Sequence, residues 1–82
     1  MKSNRSVLMK IRQKIADGSL PCEPHPKSWA GAGRGEVCDG CDERVLASEV
    51  EFEVDMSAGQ TLRFHRACFE IWYAECVELL RQ

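Results

Sequence analysis

The sequence predicts a small α+β domain, and three patterns support that prediction. Two pairs of cysteine and histidine residues follow the spacings C-x2-C and H-x2-C. Between these pairs, strict alternation of apolar and polar residues over 49–56 predicts a half-buried strand, and residues 61–65 predict its antiparallel partner. Apolar residues spaced three and four apart predict a helix at each end of the chain. The expected order is N-terminal helix, metal knuckle, β-hairpin and C-terminal helix.

The two ligand pairs predict a closed zinc site. Thiolate and imidazole suit Zn²⁺, which structural sites bind tetrahedrally through four such ligands. A two-residue spacer lets one turn aim both side chains at one point, and Gly40 is expected to supply left-handed backbone there. The second pair begins the C-terminal helix, whose free N–H groups favour thiolate over thiol. The predicted ligands are Cys38, Cys41, His65 and Cys68. The alternative, a redox C-x-x-C pair beside an unrelated histidine, lacks its usual βαβ context.

The length of 82 residues predicts one folded unit with a small core. A chain of this size buries only about 60–65% of its unfolded surface, so a bound metal would add much of the stability. The first ten residues contain no long apolar run, so we expect neither a signal peptide nor a membrane span. The expected compartment is the reducing cytoplasm, where metal ligation is favoured over disulfides.

The first segment, residues 1–18, predicts an amphipathic helix. Ser3 or Asn4 can cap its N-terminus, and Gly18 marks its end. Its apolar stripe consists of Val7, Leu8, Ile11 and Ile15. Basic side chains off that stripe either contact a nucleic acid or another anionic surface, or are simply solvated. Together with one arginine of the next segment, the candidate partner-binding residues are Lys10, Arg12, Lys14 and Arg34.

The second segment, residues 19–36, is predicted to be a connector that packs on the domain. Its three prolines exclude a helix, and Trp29 is expected to be the buried anchor that holds the connector in place. Cys22 and His25 form a C-x2-H pair, which is a candidate secondary metal pair. In the alternative interpretation, Cys22 is a small buried apolar residue, and Cys76 near the end of the chain is interpreted in that way too.

The third segment, residues 37–82, is the predicted zinc-binding domain. Apolar residues of the hairpin must share one face, and the acidic row of the first strand is expected to face water. We therefore predict three cross-strand pairs: Met56–Leu62, Val54–Phe64 and, on the solvent face, Asp55–Arg63. In the C-terminal helix, the predicted core face consists of Phe69, Trp72, Cys76, Leu79 and Leu80.

Charge is divided unevenly along the chain. Residues 1–35 contain seven basic and two acidic residues, whereas residues 36–82 contain four basic and eleven acidic residues. The two parts carry charges of +5 and −7, in agreement with the net charge of −2. An acidic sheet face would repel phosphate, so a nucleic acid would have to contact the basic N-terminal part.

A knuckle, a hairpin and a helix that carries the second ligand pair resemble the treble-clef zinc fingers. The C-x2-C and H-x2-C pairs are most similar to the first half of a LIM domain, and the matching residues are Cys38, Cys41, His65 and Cys68. The resemblance covers residues 36–82. A LIM domain continues into a second zinc module, whereas only Cys76 follows here. The resemblance implies a structural Zn²⁺ and a protein or nucleic-acid partner.

Three functional hypotheses follow from these patterns. The first is a zinc-stabilised binding module or adaptor for a protein or nucleic-acid partner. The alternative is a thiol-based redox or zinc sensor, since thiolate ligands are oxidisable. A zinc enzyme is less favoured, because four protein ligands leave no open coordination position and the H-x-E and P-C-x-x-C pattern of the zinc deaminases is absent. We expect no membrane partner, and the sequence leaves the oligomeric state open.

Overall fold

A computed structural model describes residues 4–81 and contains two helices and a three-stranded antiparallel sheet. The elements in chain order are α1 (Asn4–Ala16), β1 (Lys27–Ala32), β2 (Val50–Asp55), β3 (Thr61–His65) and α2 (Arg66–Leu80). Strand β2 is central, between β1 and β3, and α2 contacts β2, β3 and α1. The predicted α+β class is confirmed.

Helix α1 agrees with its sequence pattern. Ile11 is fully buried, and Val7 and Ile15 pack against the core beside it. The helix ends at Ala16, and Gly18 follows with a φ of 84°, the left-handed conformation that terminates many helices. The predicted Ser3 cap lies outside the described residues.

Strand β1 lies within the predicted connector over residues 19–36, where the sequence predicted no strand. Lys27–Ala32 pairs antiparallel with β2 along its whole length, and all six residues are exposed. Trp29 is 52% exposed, so it is not the buried anchor that we expected. Backbone hydrogen bonds rather than side-chain burial hold this edge strand, and for that reason apolar alternation did not reveal it.

The hairpin register differs from the predicted one by two residues. Val54 pairs with Leu62, Phe52 with Phe64 and Glu53 with Arg63. The predicted pairs Met56–Leu62, Val54–Phe64 and Asp55–Arg63 are therefore wrong. The division into faces was right in β3, where Leu62 and Phe64 are buried, because a shift of two residues keeps each side chain on its own face.

The hairpin loop gives the physical reason for this register. The Met56 N–H donates to the Gln60 carbonyl at 2.8 Å, which leaves the three-residue loop 57–59. Gly59 is the third loop residue and has a φ of 96°. Three-residue hairpin loops require a left-handed residue at that last position, and glycine adopts it without strain. The predicted register would have placed Gly59 in the middle of the loop.

Aromatic rings of α2 and the sheet fill the core. Trp72 is fully buried, stacks on Phe64 at a centroid distance of 5.1 Å, and donates its indole N–H to the Pro21 carbonyl at 3.0 Å. The predicted core face of α2 extends too far, because Leu79 and Leu80 are each 49% exposed. The last turn of α2 thus leaves its apolar side chains uncovered.

A disulfide joins the N-terminal part of the chain to α2. Cys22 and Cys76 are bonded through their sulfur atoms, across 54 residues of sequence. This bond contradicts the expectation that Cys76 only packs. It also contradicts the preference for metal ligation over disulfides, as far as these two cysteines are concerned.

Candidate metal centre

Four side chains from three parts of the chain meet at one point. Their ligand atoms all lie within 4.8 Å of one another, and the residues are Cys38, Cys41, His65 and Cys68. The two cysteines of the first pair come from the loop between β1 and β2. His65 is the N-cap of α2, and Cys68 lies in its first turn, as the sequence predicted. The cluster could hold a metal ion.

The loop that carries the first pair is tied to β3. The Asp39 N–H donates to the Arg63 carbonyl at 2.7 Å, and the Arg63 N–H donates to Oδ2 of Asp39 at 2.7 Å. The left-handed residue of this turn is Asp42, with a φ of 69°, rather than Gly40. Gly40 is needed for close packing instead, because a Cβ there would lie 3.1 Å from Cβ of Cys68 and 3.2 Å from Cδ1 of Ile11.

Two lysines of α1 hold the same loop from the other side. Lys10 donates from Nζ to the Cys41 carbonyl at 3.2 Å, and Lys14 donates to the Asp39 carbonyl at 2.8 Å. Both ammonium groups also pair with the Asp42 carboxylate, at 3.3 and 2.5 Å. The Lys14 hydrogen bond lowers the pKa of Asp42, with a further contribution from Lys10. These contacts couple α1 to the geometry of the loop that carries Cys38 and Cys41 (the ligand loop).

The orientation of the His65 ring identifies its ligand atom. Nδ1 lies 3.4 Å from Sγ of Cys41 and 3.9 Å from Sγ of Cys68. Nε2 lies 3.0 Å from the Arg44 carbonyl on the opposite side of the ring. A proton on Nε2 donates to that carbonyl and leaves the lone pair of Nδ1 directed at the sulfur atoms. Histidine ligands of metals are commonly oriented by such a hydrogen bond from the other ring nitrogen.

The three thiols have different affinities for their protons. The pKa of Cys38 is lowered to about 4, first because the Cys68 thiol hydrogen-bonds its sulfur and further through backbone N–H groups, whereas burial opposes the shift. The N–H groups of Gly40 and His65 each lie 3.4 Å from that sulfur. The pKa of Cys68 is raised by the same hydrogen bond and by burial, and burial raises the pKa of Cys41. The hydrogen bonds to Cys38 therefore favour its thiolate over the thiolates of Cys41 and Cys68.

The low pKa of Cys38 predicts how stability depends on pH. An unperturbed thiol has a pKa near 9.0, and the folded value is about 4, so the unfolded chain binds more protons between these limits. The free energy of unfolding therefore rises with pH across that range. The part of it that Cys38 contributes is lost as pH falls towards 4. Bound metal strengthens this dependence, because all three thiols must then be ionised. Urea denaturation of the metal-loaded chain at pH 5 and pH 8 should give the lower midpoint at pH 5. Equal midpoints would contradict the prediction.

The other predicted site residues do not join the cluster. Cys22 is in the disulfide, and His25 is exposed with a left-handed φ of 55°, so the structure does not bring them together as a ligand pair. Arg12 pairs with Glu75 at 2.7 Å. Arg34 pairs with Glu53 across the sheet surface. Each of the four basic candidates thus contacts a carboxylate or a backbone carbonyl within the fold.

One polar residue of the sheet is buried although the sequence predicted it to face water. Glu51 was placed with the solvent-facing acidic row, yet it is 2% exposed. Its Cα partners are Gly31 in β1 and His65 in β3, so it lies beside the metal cluster in the central strand. The sequence did not predict β1, so it did not predict that β2 is the central strand. Neighbouring strands on both sides cover more of the side chains of a central strand than one neighbour does.

Comparison of the chain with protein-family models, with curated proteins and with solved structures found no match. Among residues 4–81, no helix has the length and apolar character needed to cross a membrane.

Proposed function

We propose that this chain is a zinc-stabilised binding module for a protein partner. Three sulfur atoms and one imidazole nitrogen are a donor set that suits Zn²⁺, and the closeness of the four atoms fits a single tetrahedral ion. Four protein ligands fill such a coordination sphere. A catalytic zinc requires an open position for water or substrate, so the donor set favours a structural role over an enzymatic one.

The arrangement also supports the resemblance to treble-clef zinc fingers and to the first half of a LIM domain. The first ligand pair lies in a loop, a hairpin follows, and the second pair begins a helix. The edge strand β1 and helix α1 are additions to that plan. Proteins that resemble one another in this way share a metal-stabilised scaffold rather than one activity, and their surfaces determine which partner they bind.

The basic candidate residues contact other parts of the fold, and this favours a protein partner over a nucleic acid. A nucleic-acid surface needs cationic side chains that are free to contact phosphates. Here the lysines of α1 bind the ligand loop, Arg12 pairs with Glu75 and Arg34 pairs with Glu53. Several large apolar side chains are exposed instead, including Trp29 and Tyr73. Such a surface is better suited to a protein than to phosphate.

A pull-down tests this proposal. The zinc-loaded chain is the bait, extracts of the native host are treated with nuclease, and a Cys41→Ser bait that lacks one ligand is the control. We expect the zinc-loaded bait alone to retain a protein, and the purified pair to remain bound as salt is raised from 50 to 200 mM. Recovery of a nucleic acid would contradict the proposal. So would a loss of affinity of about 10³-fold or more over that salt range, which marks phosphate contacts.

The disulfide supports a second candidate function, a thiol-based redox sensor. Cys22 and Cys76 are oxidised in a chain whose other three cysteines are free thiols in the metal cluster. Cytoplasmic disulfides, where they occur, are often transient or redox-sensing. Alkylation and mass spectrometry on cells before and after peroxide treatment would test it. A sensor should show the Cys22–Cys76 bond only after peroxide, whereas a bond of constant occupancy would identify it as structural.

A further inference from the structure

A buried carboxylate on the polar face of the sheet is not explained by the metal centre. Glu51 is 2% exposed, and its Oε1 atom has no hydrogen-bond partner within residues 4–81. Its Oε2 atom lies 3.8 Å from Nη2 of Arg34 and 3.9 Å from Nε of Arg63. Both distances exceed hydrogen-bond range. A buried carboxylate oxygen without a hydrogen bond is costly, so Oε1 has unused capacity to bind a donor although Oε2 is ion-paired with both guanidinium groups.

A small cavity gives access to this carboxylate. Its volume is about 60 Å³, and its lining includes Trp29, Gly31, Arg34, Glu51 and Glu53. Gly31 of β1 is directly opposite Glu51, and a Cβ at Gly31 would meet no atom within 4 Å. Because the glycine has no side chain, a gap remains over β1. Within the described residues β1 pairs with β2 alone, so this gap leads to an open sheet edge.

Arg34 closes the cavity only in part. Its guanidinium hydrogen-bonds Oε1 of Glu53, stays 66% exposed, and does not reach Glu51 within hydrogen-bond distance. The fork of a guanidinium is planar and rigid, whereas an ammonium is compact and has three rotatable donors. An ammonium can therefore lie between both carboxylates. The adjacent Trp29 indole adds an aromatic surface that attracts a cation.

We propose that this cavity binds the ammonium group of a lysine in an extended segment of the partner protein, which displaces Arg34 from Glu53. The proposal rests on the protein-binding function above and adds the chemistry of the partner. An extended segment can add to a free strand edge through its backbone. Such a strand would lie about 4.8 Å from β1. A lysine opposite Gly31 then extends its four-carbon stem over the glycine towards Glu51.

The test is a titration of the zinc-loaded, ¹⁵N-labelled chain with two hexapeptides of threonine and serine. One peptide contains a single central lysine, and the other contains acetyl-lysine, which has no charge. We expect the lysine peptide alone to shift the NMR signals of the Trp29 indole and the Gly31 amide. Glu51→Gln should weaken binding by about tenfold, because a charge-assisted hydrogen bond is lost. Arg34→Gln should strengthen it by up to about fivefold, because an exposed competitor is removed.

Two further variants serve as controls. Glu70→Gln removes an exposed carboxylate that, among residues 4–81, pairs with Arg66 alone, at 3.4 Å, and it should leave peptide affinity unchanged. Gly31→Val fills the gap over β1, where the structure has room, and should abolish binding while zinc content and the amide spectrum stay native. Shifts that are equal for the acetyl-lysine peptide, or undiminished in Glu51→Gln, would overturn the proposal.

The experiments distinguish failure of the proposed lysine site from failure of the proposed protein-binding function. No peptide binding by either the wild-type chain or Arg34→Gln would also overturn the site. If the pull-down recovers a protein whose binding is the same for wild type and Glu51→Gln, the site is overturned and the binding function stands. Lysine-dependent peptide binding at Glu51 supports the site even if the pull-down recovers no protein.

Discussion

We expect the zinc-loaded chain to unfold when its zinc is removed. Metal binding in zinc-finger peptides contributes about 10–16 kcal/mol, which exceeds the net stability of a typical domain, about 5–15 kcal/mol. The ligand loop, β3 and α2 meet at the cluster, so loss of a bound ion should release all three. Circular dichroism should show a cooperative thermal transition for the zinc-loaded chain and none after chelation at pH 7. Re-addition of zinc should restore it.

Single-residue variants give the matched control for this result. Cys41→Ser removes one ligand and should behave like the chelated chain. Cys22→Ser removes a sulfur outside the cluster and should retain one zinc per chain by elemental analysis. A cooperative transition that persists after the metal has been removed completely would show that burial alone stabilises the fold. Loss of zinc from Cys22→Ser would show that the ligand set is wrong.

Breaking the Cys22–Cys76 disulfide will lower stability by about 4 kcal/mol. The bond closes a loop of 54 residues, and the chain-entropy model gives about this value for a loop of that length. Cys22→Ala should therefore lower the urea midpoint of the zinc-loaded chain under oxidising conditions. The native contact that the bond holds is between the proline-rich segment and the middle of α2, where Trp72 donates to the Pro21 carbonyl.

Reduction provides the control for the disulfide. With a mild reductant and excess zinc, the wild-type chain should fall to the stability of Cys22→Ala, and the variant itself should not change. Wild-type and variant chains that coincide without reductant would show that the bond is not formed in solution. A drop in the variant on reduction would instead locate the effect at the metal thiolates.

The four residues that meet at the candidate site could be identified from the sequence because the pattern that marks them is local. Each pair is two residues apart internally, and the second pair begins a strongly periodic helix. Spacing alone therefore specified which residues meet. The contribution of α1 could not be read in this way, because Lys10 and Lys14 recognise backbone carbonyls, which have no sequence signature. Their positive charge suggested a surface that binds a partner, whereas in the structure both ammonium groups bind the ligand loop.

The predictions for the sheet were wrong at positions where the pattern of apolar and polar side chains does not distinguish the alternatives. Apolar parity permits registers that differ by two residues, and only the loop geometry at Gly59 separates them. A glycine at the last position of a three-residue loop was the signal that could have decided it. Strand β1 buries none of its six residues, so no periodicity could reveal it. Its absence from the prediction also hid the burial of Glu51.

The long sequence separations of the contacts made by the N-terminal third of the chain have a consequence for biogenesis. Helix α1 is synthesised before α2, yet Arg12 pairs with a residue 63 positions later, and the Pro21 carbonyl accepts from an indole 51 positions later. Short isolated helices are marginal in water, so α1 must wait for α2 before it can be stable. A nascent chain that stops before Cys68 has an incomplete ligand set and an uncovered apolar stripe. Such a ribosome-bound chain should be sensitive to protease throughout its length, and protection should appear in one step once α2 has emerged.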